Sequence, residues 1–166
     1  MNPRQFLLLL SVICVGIFSA ACGASSSSAN KAATPKEACD YLSSRGFDKP
    51  TAWDKGRSPG EFMCTSAKSV SSDSSKNLYY EVRGTEDGKI TTYQLQARSE
   101  ADGAMRAEFL STMNDLTNKV TGKSTPEKIV TAIRSAKTDE VDEGGIKYQY
   151  FENGSNGIGY KINLSK

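Results

Sequence analysis

The chain is 166 residues long, carries 21 basic and 19 acidic residues and contains no histidine. The length suits one domain of ordinary size, and 37% hydrophobic residues suffice for a folded core. The lack of histidine excludes Ser-His-Asp and Cys-His catalysis and the usual His-containing zinc sites, while a net charge of +2 makes no electrostatic case for nucleic acid.

Met1 to Arg4 is short and ends in one positive charge, and Phe6 to Ala21 is an almost wholly apolar run, FLLLLSVICVGIFSAA. As a helix this run spans roughly 24 Å, short of the ~30 Å hydrocarbon core of a bilayer. A basic start, an apolar middle and a small-residue exit are the marks of a secretory signal. An N-terminal anchor that is never cleaved is the competing reading.

The exit reads Phe18-Ser19-Ala20-Ala21-Cys22. It resembles the lipobox of bacterial lipoproteins, in which a cysteine follows small residues at the end of the apolar run, with Ser19 standing where leucine is favoured. The resemblance covers only these N-terminal residues. It implies that residues 1–21 are cut away, that Cys22 receives a diacylglycerol on its sulfur, and that the new amine is acylated. Ordinary signal cleavage after Ala21 or Ala24 is the alternative. Gly23, rather than Asp, follows the cysteine, which resembles the signal for sorting to the outer membrane, facing the periplasm, in Gram-negative cells.

Residues 22–33 form a tether. Its GASSSSANKAA run is too poor in large apolar groups to order itself and has a flexible reach of roughly 18 Å. Lipidation contributes about 0.8 kcal/mol per buried CH₂, so two or three acyl chains anchor a protein stably. With Cys14 in the removed segment and Cys22 lipidated, Cys39 and Cys64 remain. In an oxidising compartment an even pair reads as a disulfide.

Residues 34–166 read as a single α+β domain. Thr34-Pro35-Lys36-Glu37 is a capping box with proline at the first helical position, predicting a helix from Pro35 to about Arg45 that stops at Gly46 with Phe47 folding back. Asp48 to Gly60 is irregular, a strand covers Glu61 to Ala67, and Ser66 to Lys76 reads as an exposed loop. Leu78, Tyr80 and Val82 share one face of a strand, which turns through residues 84–88 into a second strand with Thr91, Tyr93, Leu95 and Ala97 on one face. A helix over Glu100 to Thr121 carries an apolar stripe of Met105, Phe109, Met113, Leu116 and Val120. Another, with Ile129, Ala132, Ile133 and Ala136, is capped by Ser124 or Thr125. A last hairpin presents Ile146, Tyr148 and Tyr150, then Ile158, Tyr160, Ile162 and Leu164. The order α-βββ-αα-ββ predicts an antiparallel sheet of about five strands with two to three helices packed on one face.

Catalytic patterns are weak. Glu100 with Asp102, and Asp139-Glu140 with Asp142-Glu143, are the densest acids, but they sit at predicted element boundaries, where acids are usually solvated or favour a helix N-terminus. The Ser71 to Ser75 run has no base beside it, and Gly154, Gly157 and Gly159 lack the spacing of a phosphate loop. No catalytic residue, metal ligand or cofactor is therefore assigned. Trp53, with Arg57 nearby, is the candidate binding pair, since Trp and Arg are enriched at binding hot spots. A core anchor near the disulfide is the blander role for Trp53. Tyr79, Tyr93, Tyr148, Tyr150 and Tyr160 are strand residues, and those on a face away from the helices would line a binding surface.

The sequence thus points to a non-enzymatic envelope lipoprotein held to a membrane through Cys22. It would bind another macromolecule, as an inhibitor or immunity protein or as an envelope adaptor. Binding of a small ligand or cell-wall fragment is the alternative, and a carboxylate-based hydrolase ranks below both.

Overall fold

The computed structural model describes residues 33–71, 76–98, 102–152 and 157–165. The lipobox, the tether to residue 32, Glu100, Ser72 to Ser75 and the tip of the last hairpin lie outside the described residues. No helix among the described residues is long and apolar enough to cross a membrane.

The domain is α+β: a seven-stranded antiparallel sheet with helices on one face. In chain order the elements are α1 (Pro35–Cys39), a 3₁₀ turn (Ser43–Arg45), β1 (Asp54–Lys55), β2 (Phe62–Ser69), β3 (Asn77–Gly84), β4 (Ile90–Ala97), α2 (Gly103–Thr121), α3 (Glu127–Arg134), β5 (Asp139–Glu143), β6 (Ile146–Glu152) and β7 (Ile158–Leu164). The sheet order is β1-β2-β3-β4-β7-β6-β5. The C-terminal strand therefore lies in the middle, between β4 and β6.

The strand register aligns the apolar residues into rows. Cys64, Val82, Tyr93, Ile162 and Tyr148 are successive cross-strand partners, as are Tyr80, Leu95, Tyr160 and Tyr150. All of them are buried, and they form one cluster with Met105, Phe109, Met113 and Leu116 of α2 and Ile129 and Ile133 of α3. The tyrosine hydroxyls in this core find polar partners, as buried hydroxyls must. Tyr80 donates to the carbonyl of Ala38 at 2.7 Å, and the Tyr160 and Thr117 hydroxyls lie 2.9 Å apart. The Tyr150 hydroxyl donates to Glu152 at 2.5 Å and accepts from Arg106 at 3.1 Å.

Cys39 and Cys64 form a disulfide with sulfurs 2.00 Å apart. It ties α1 to β2 and closes a loop of 25 residues, a constraint worth roughly 3–4 kcal/mol in the chain-entropy account.

Several sequence expectations are corrected. The sheet has seven strands, not five; the two additional ones are the edges, β1 and β5. The first helix is one turn and a half, and residues 40–42 separate it from a 3₁₀ turn, although Thr34 and Glu37 make the reciprocal capping box and Gly46 closes the segment at φ 81°. Ser66 to Ser69 belong to β2 rather than to a loop. The N-cap of α3 is Pro126, with no side-chain cap from Ser124 or Thr125, and Ala136 lies beyond the helix at φ 51°. Ile90 pairs with Gly84 and Thr92 with Arg83, so Thr91 is an inserted residue. Such a bulge breaks strand alternation, which is why Ile90 and Tyr93 are both buried.

Candidate functional site

The residues that alternate with the core rows point away from the helices. The register makes Thr65, Glu81, Gln94, Lys161, Gln149 and Glu140 one row across this outer face, flanked by a row holding Arg83, Asn163 and Lys147 and another holding Tyr79 and Phe151. No helix among the described residues packs here: α1, α2 and α3 meet the sheet through the Tyr80, Tyr160 and Tyr150 side. An antiparallel sheet commonly buries one face and leaves the other to solvent.

This outer face is polar, and much of it is internally paired. Thr92 donates to Asn163 at 3.2 Å, Asn163 to Gln149 at 2.9 Å and Gln149 to Glu140 at 2.8 Å, forming a chain across β4, β7, β6 and β5. Lys147 adds an ion pair to Glu140 at 2.9 Å. Hydrogen bonds from Lys147 and Gln149 hold the Glu140 carboxyl below its ordinary range. Two aromatic rings carry cations: Arg98 stands 4.4 Å over Tyr79, and Lys161 lies 5.3 Å from the Phe151 centroid. Such pairs present a flat aromatic surface and a positive charge together.

Arg57 sits at one margin of this face, and Glu61 explains its position. One carboxylate oxygen of Glu61 accepts from Arg83 at 3.1 Å, and the other accepts the backbone N–H of Arg57 at 3.1 Å. The turn carrying Arg57 is thus tied to the outer face, and the Arg57 side chain is exposed. Arg83 also pairs with Glu81, and these two acids outweigh desolvation and raise its pKa.

Trp53 is placed differently. It is half-buried and packs against the hydrophobic cluster. Asp54 pairs with Met63, and one step further along that register sets Trp53 across from Cys64, on the core side of the sheet. Its indole Nε1 is buried without a hydrogen-bond partner among the described residues. The structure therefore does not bring Trp53 and Arg57 onto one surface. Of the five strand tyrosines, Tyr79 is the one that faces away from the helices; Tyr93, Tyr148, Tyr150 and Tyr160 are buried on the helix side.

Asp102, Asp139 and Glu140 of the acidic clusters are in structural employment. Asp102 caps α2 by accepting from the N–H of Met105 at 2.8 Å and pairs with Lys76 at 2.6 Å; Lys76 first, then that N–H, holds its carboxyl low. Asp139 pairs with Lys128 at 2.8 Å and is held low by it. These carboxyls favour the ionised form, which is the reverse of what a general acid needs. Among the described residues no group of three His, Cys, Asp or Glu is placed to hold a metal ion.

No curated protein and no solved structure matches the chain. A family model matches residues 30–153, from the end of the tether through β6. By that match, which covers most of the chain, the protein belongs to the family of unknown function DUF6030.

Proposed function

We propose that this protein is a lipid-anchored component of a bacterial envelope, non-enzymatic, which presents the outer face of its sheet to another macromolecule. In this reading Cys22 carries the lipid, the tether lifts the domain from the bilayer, and the partner is a protein of the envelope or a toxin or hydrolase that the protein restrains. The observation that carries it is the Cys39–Cys64 disulfide. A bridge between a helix and a strand fits an oxidising compartment, and it agrees with the signal and lipobox read independently in the first 22 residues.

The outer face supports the second half of the reading. It is polar and mostly half-buried, with Gln94 buried within it, and is bounded by the exposed Arg57, with arginine and aromatic groups of the kind enriched at interfaces. Trp53 contributes from behind, by fixing the segment that precedes the Arg57 turn.

The test immobilises the chain from residue 22 onward and exposes it to envelope extract of its own organism and of competitors. Variants Arg57→Glu and Lys161→Glu, both at exposed or half-exposed positions, run beside it. The reading expects one protein captured in near-stoichiometric amount and lost with these charge reversals. Capture unaffected by either variant contradicts the proposed surface. Retention of a glycan with no protein moves cell-wall binding into first place.

A further inference from the structure

A hollow of about 510 Å³ opens at the end of the domain where the tether arrives. It lies within the ordinary size range of ligand pockets, about 300–1,000 Å³. Its walls come from four places: the β3–β4 turn and the start of β4, the last turn of α2, the link between α1 and the 3₁₀ turn, and the end of β7. Ala33, the first described residue, is part of its rim.

The lining divides into two chemistries. Tyr93 and Ile90 are buried and form the floor, with Val120 and Leu164 beside them. Tyr41 stacks on Tyr93 with ring centroids 5.8 Å apart and planes 6° from parallel. At the rim stand Lys89 and Lys119, both exposed, and among the described residues no carboxylate side chain lines the hollow. Burial raises the Tyr93 and Tyr41 phenols above their ordinary pKa, so they stay neutral, and the charged side chains among the described lining residues are the two lysines. Two acids that do not line it act beside it: Asp87, whose carboxyl is held low in part by the charge of Lys89, and Glu37, which acts on Tyr41.

Both ammonium groups have donors to spare. Lys119 gives two protons, to the carbonyl of Tyr41 and to Ser44 Oγ at 3.3 Å, and an ammonium has three. Lys89 makes no ion pair or side-chain hydrogen bond among the described residues. An apolar floor beneath two cations is complementary to a molecule with an aliphatic part and an anionic head.

We propose that this hollow binds an anionic amphiphile, its phosphate or carboxylate head meeting Lys89 and Lys119 and its aliphatic part covering Tyr93, Ile90 and Val120. The site goes beyond the anchoring and partner-binding reading and does not depend on it. The ligand is either a lipid of a bilayer or a soluble single-chain molecule, and the head and tail chemistry is shared by both.

The test uses residues 22–166 with Cys22→Ser, which keeps every described residue and removes the proposed site of acylation. Amide ¹H–¹⁵N spectra are followed during titration with dodecyl phosphate below its micelle concentration. Dodecylphosphocholine supplies the same tail with a zwitterionic head, and inorganic phosphate supplies a head alone. The proposal expects saturable shifts centred on Tyr41, Lys89, Tyr93 and Val120 with dodecyl phosphate, and affinity about tenfold weaker for the zwitterion and for Lys89→Gln. Lys89 is exposed in a turn, so an otherwise unchanged spectrum verifies that this variant folds. Absent shifts, equal affinity for both heads, or undiminished affinity in Lys89→Gln overturns the proposal. Flotation with phosphatidylglycerol against phosphatidylcholine vesicles separates the sources. Co-flotation with the anionic vesicles that is lost in Lys89→Gln identifies a bilayer lipid. Dodecyl phosphate binding without flotation identifies a soluble amphiphile.

Discussion

Cys39, at the end of a helix only five residues long, is bonded to Cys64, the third residue of the first long strand. A helix that short has little stability of its own; it is held by this bond, by the Thr34–Glu37 capping box and by the Tyr80 hydroxyl on the Ala38 carbonyl. Replacing both cysteines by alanine is expected to lower unfolding free energy by roughly 3–4 kcal/mol. Denaturant titration of the oxidised chain and the double variant measures the difference. A loss under about 1 kcal/mol would show that the bond contributes little to the constraint.

Gly159 faces the ring of Phe151, and Gly157 faces backbone. A Cβ on Gly159 would come 2.1 Å from Phe151 Cζ, the movable end of a side chain, whereas on Gly157 it would come 1.8 Å from the Ala97 carbonyl oxygen. Gly157 also holds φ 101°, a conformation that favours glycine. Gly159→Ala is expected to cost about 1–3 kcal/mol, with part of it recovered when Phe151→Ala is added. Gly157→Ala is expected to cost more, in the range above about 3 kcal/mol. Thermal melts of the three variants give the order directly, and equal losses at the two glycines would contradict it.

Thr117 is the polar centre of the helix–sheet interface. Its hydroxyl bonds the Met113 carbonyl at 2.9 Å, the Tyr160 hydroxyl at 2.9 Å and the Thr125 hydroxyl at 3.1 Å. Thr117→Val preserves the shape and strands the Tyr160 hydroxyl, at an expected cost of about 1–3 kcal/mol. Thr117→Val with Tyr160→Phe removes both groups and is expected to cost less than the sum of the single changes. A double-mutant cycle read by urea denaturation checks this, and strict additivity would mean that the two hydroxyls are not coupled.

Stability is expected to be flat between about pH 5 and 8, because no side chain with an unperturbed pKa in that window is present. On the acid side Glu108 is informative. Burial raises its carboxyl, but Lys68 at 2.6 Å and Arg45 at 3.3 Å outweigh that and hold it below its ordinary 4.5. A carboxyl lowered in the folded state contributes fully above its unfolded pKa and loses that contribution as pH falls through the folded value. Stability therefore begins to fall below about pH 4.5, and Glu108→Gln is expected to be less stable near neutrality with a shallower acid limb. The raised phenols of Tyr80 and Tyr93 act at the other end: their contribution is complete below about pH 10 and is lost above it. Melting temperature against pH for the two proteins tests both limbs.

Regular periodicity made most of the fold legible. Leu78, Tyr80 and Val82 alternate cleanly, as do Ile158, Tyr160 and Ile162, and the stripe Met105, Phe109, Met113 and Leu116 is buried as its spacing predicts. The strands that were missed are short and mostly charged, with Val141 the one strand-forming residue between them. Asp54–Lys55 and Asp139–Glu143 are charged edge segments, and charge at an edge discourages further pairing. Lys128 adds to this by donating to the outward Glu140 carbonyl at 2.8 Å. The Thr91 insertion has no signature of its own, so the alternation assigned to β4 failed at its start. Buried Thr112, Thr117 and Thr121 read as polar in the sequence, although their positions on the stripe side of α2 were a usable signal. At the outer face, the Glu61 link between Arg57 and Arg83 depends on residues 22 apart in sequence, and only the sheet register joins them. The hollow draws on residues from Ala33 to Ser165, which no local pattern connects.

The central claim is attachment to a membrane through Cys22, and intact mass of the protein extracted from its native membranes tests it most directly. The account predicts a mass equal to residues 22–166 plus acyl groups and minus two hydrogens for the Cys39–Cys64 bond, with Cys22→Ala releasing the protein from the membrane fraction. An unmodified mass beginning at a later residue, or a Cys22→Ala protein that stays membrane-bound, would contradict it.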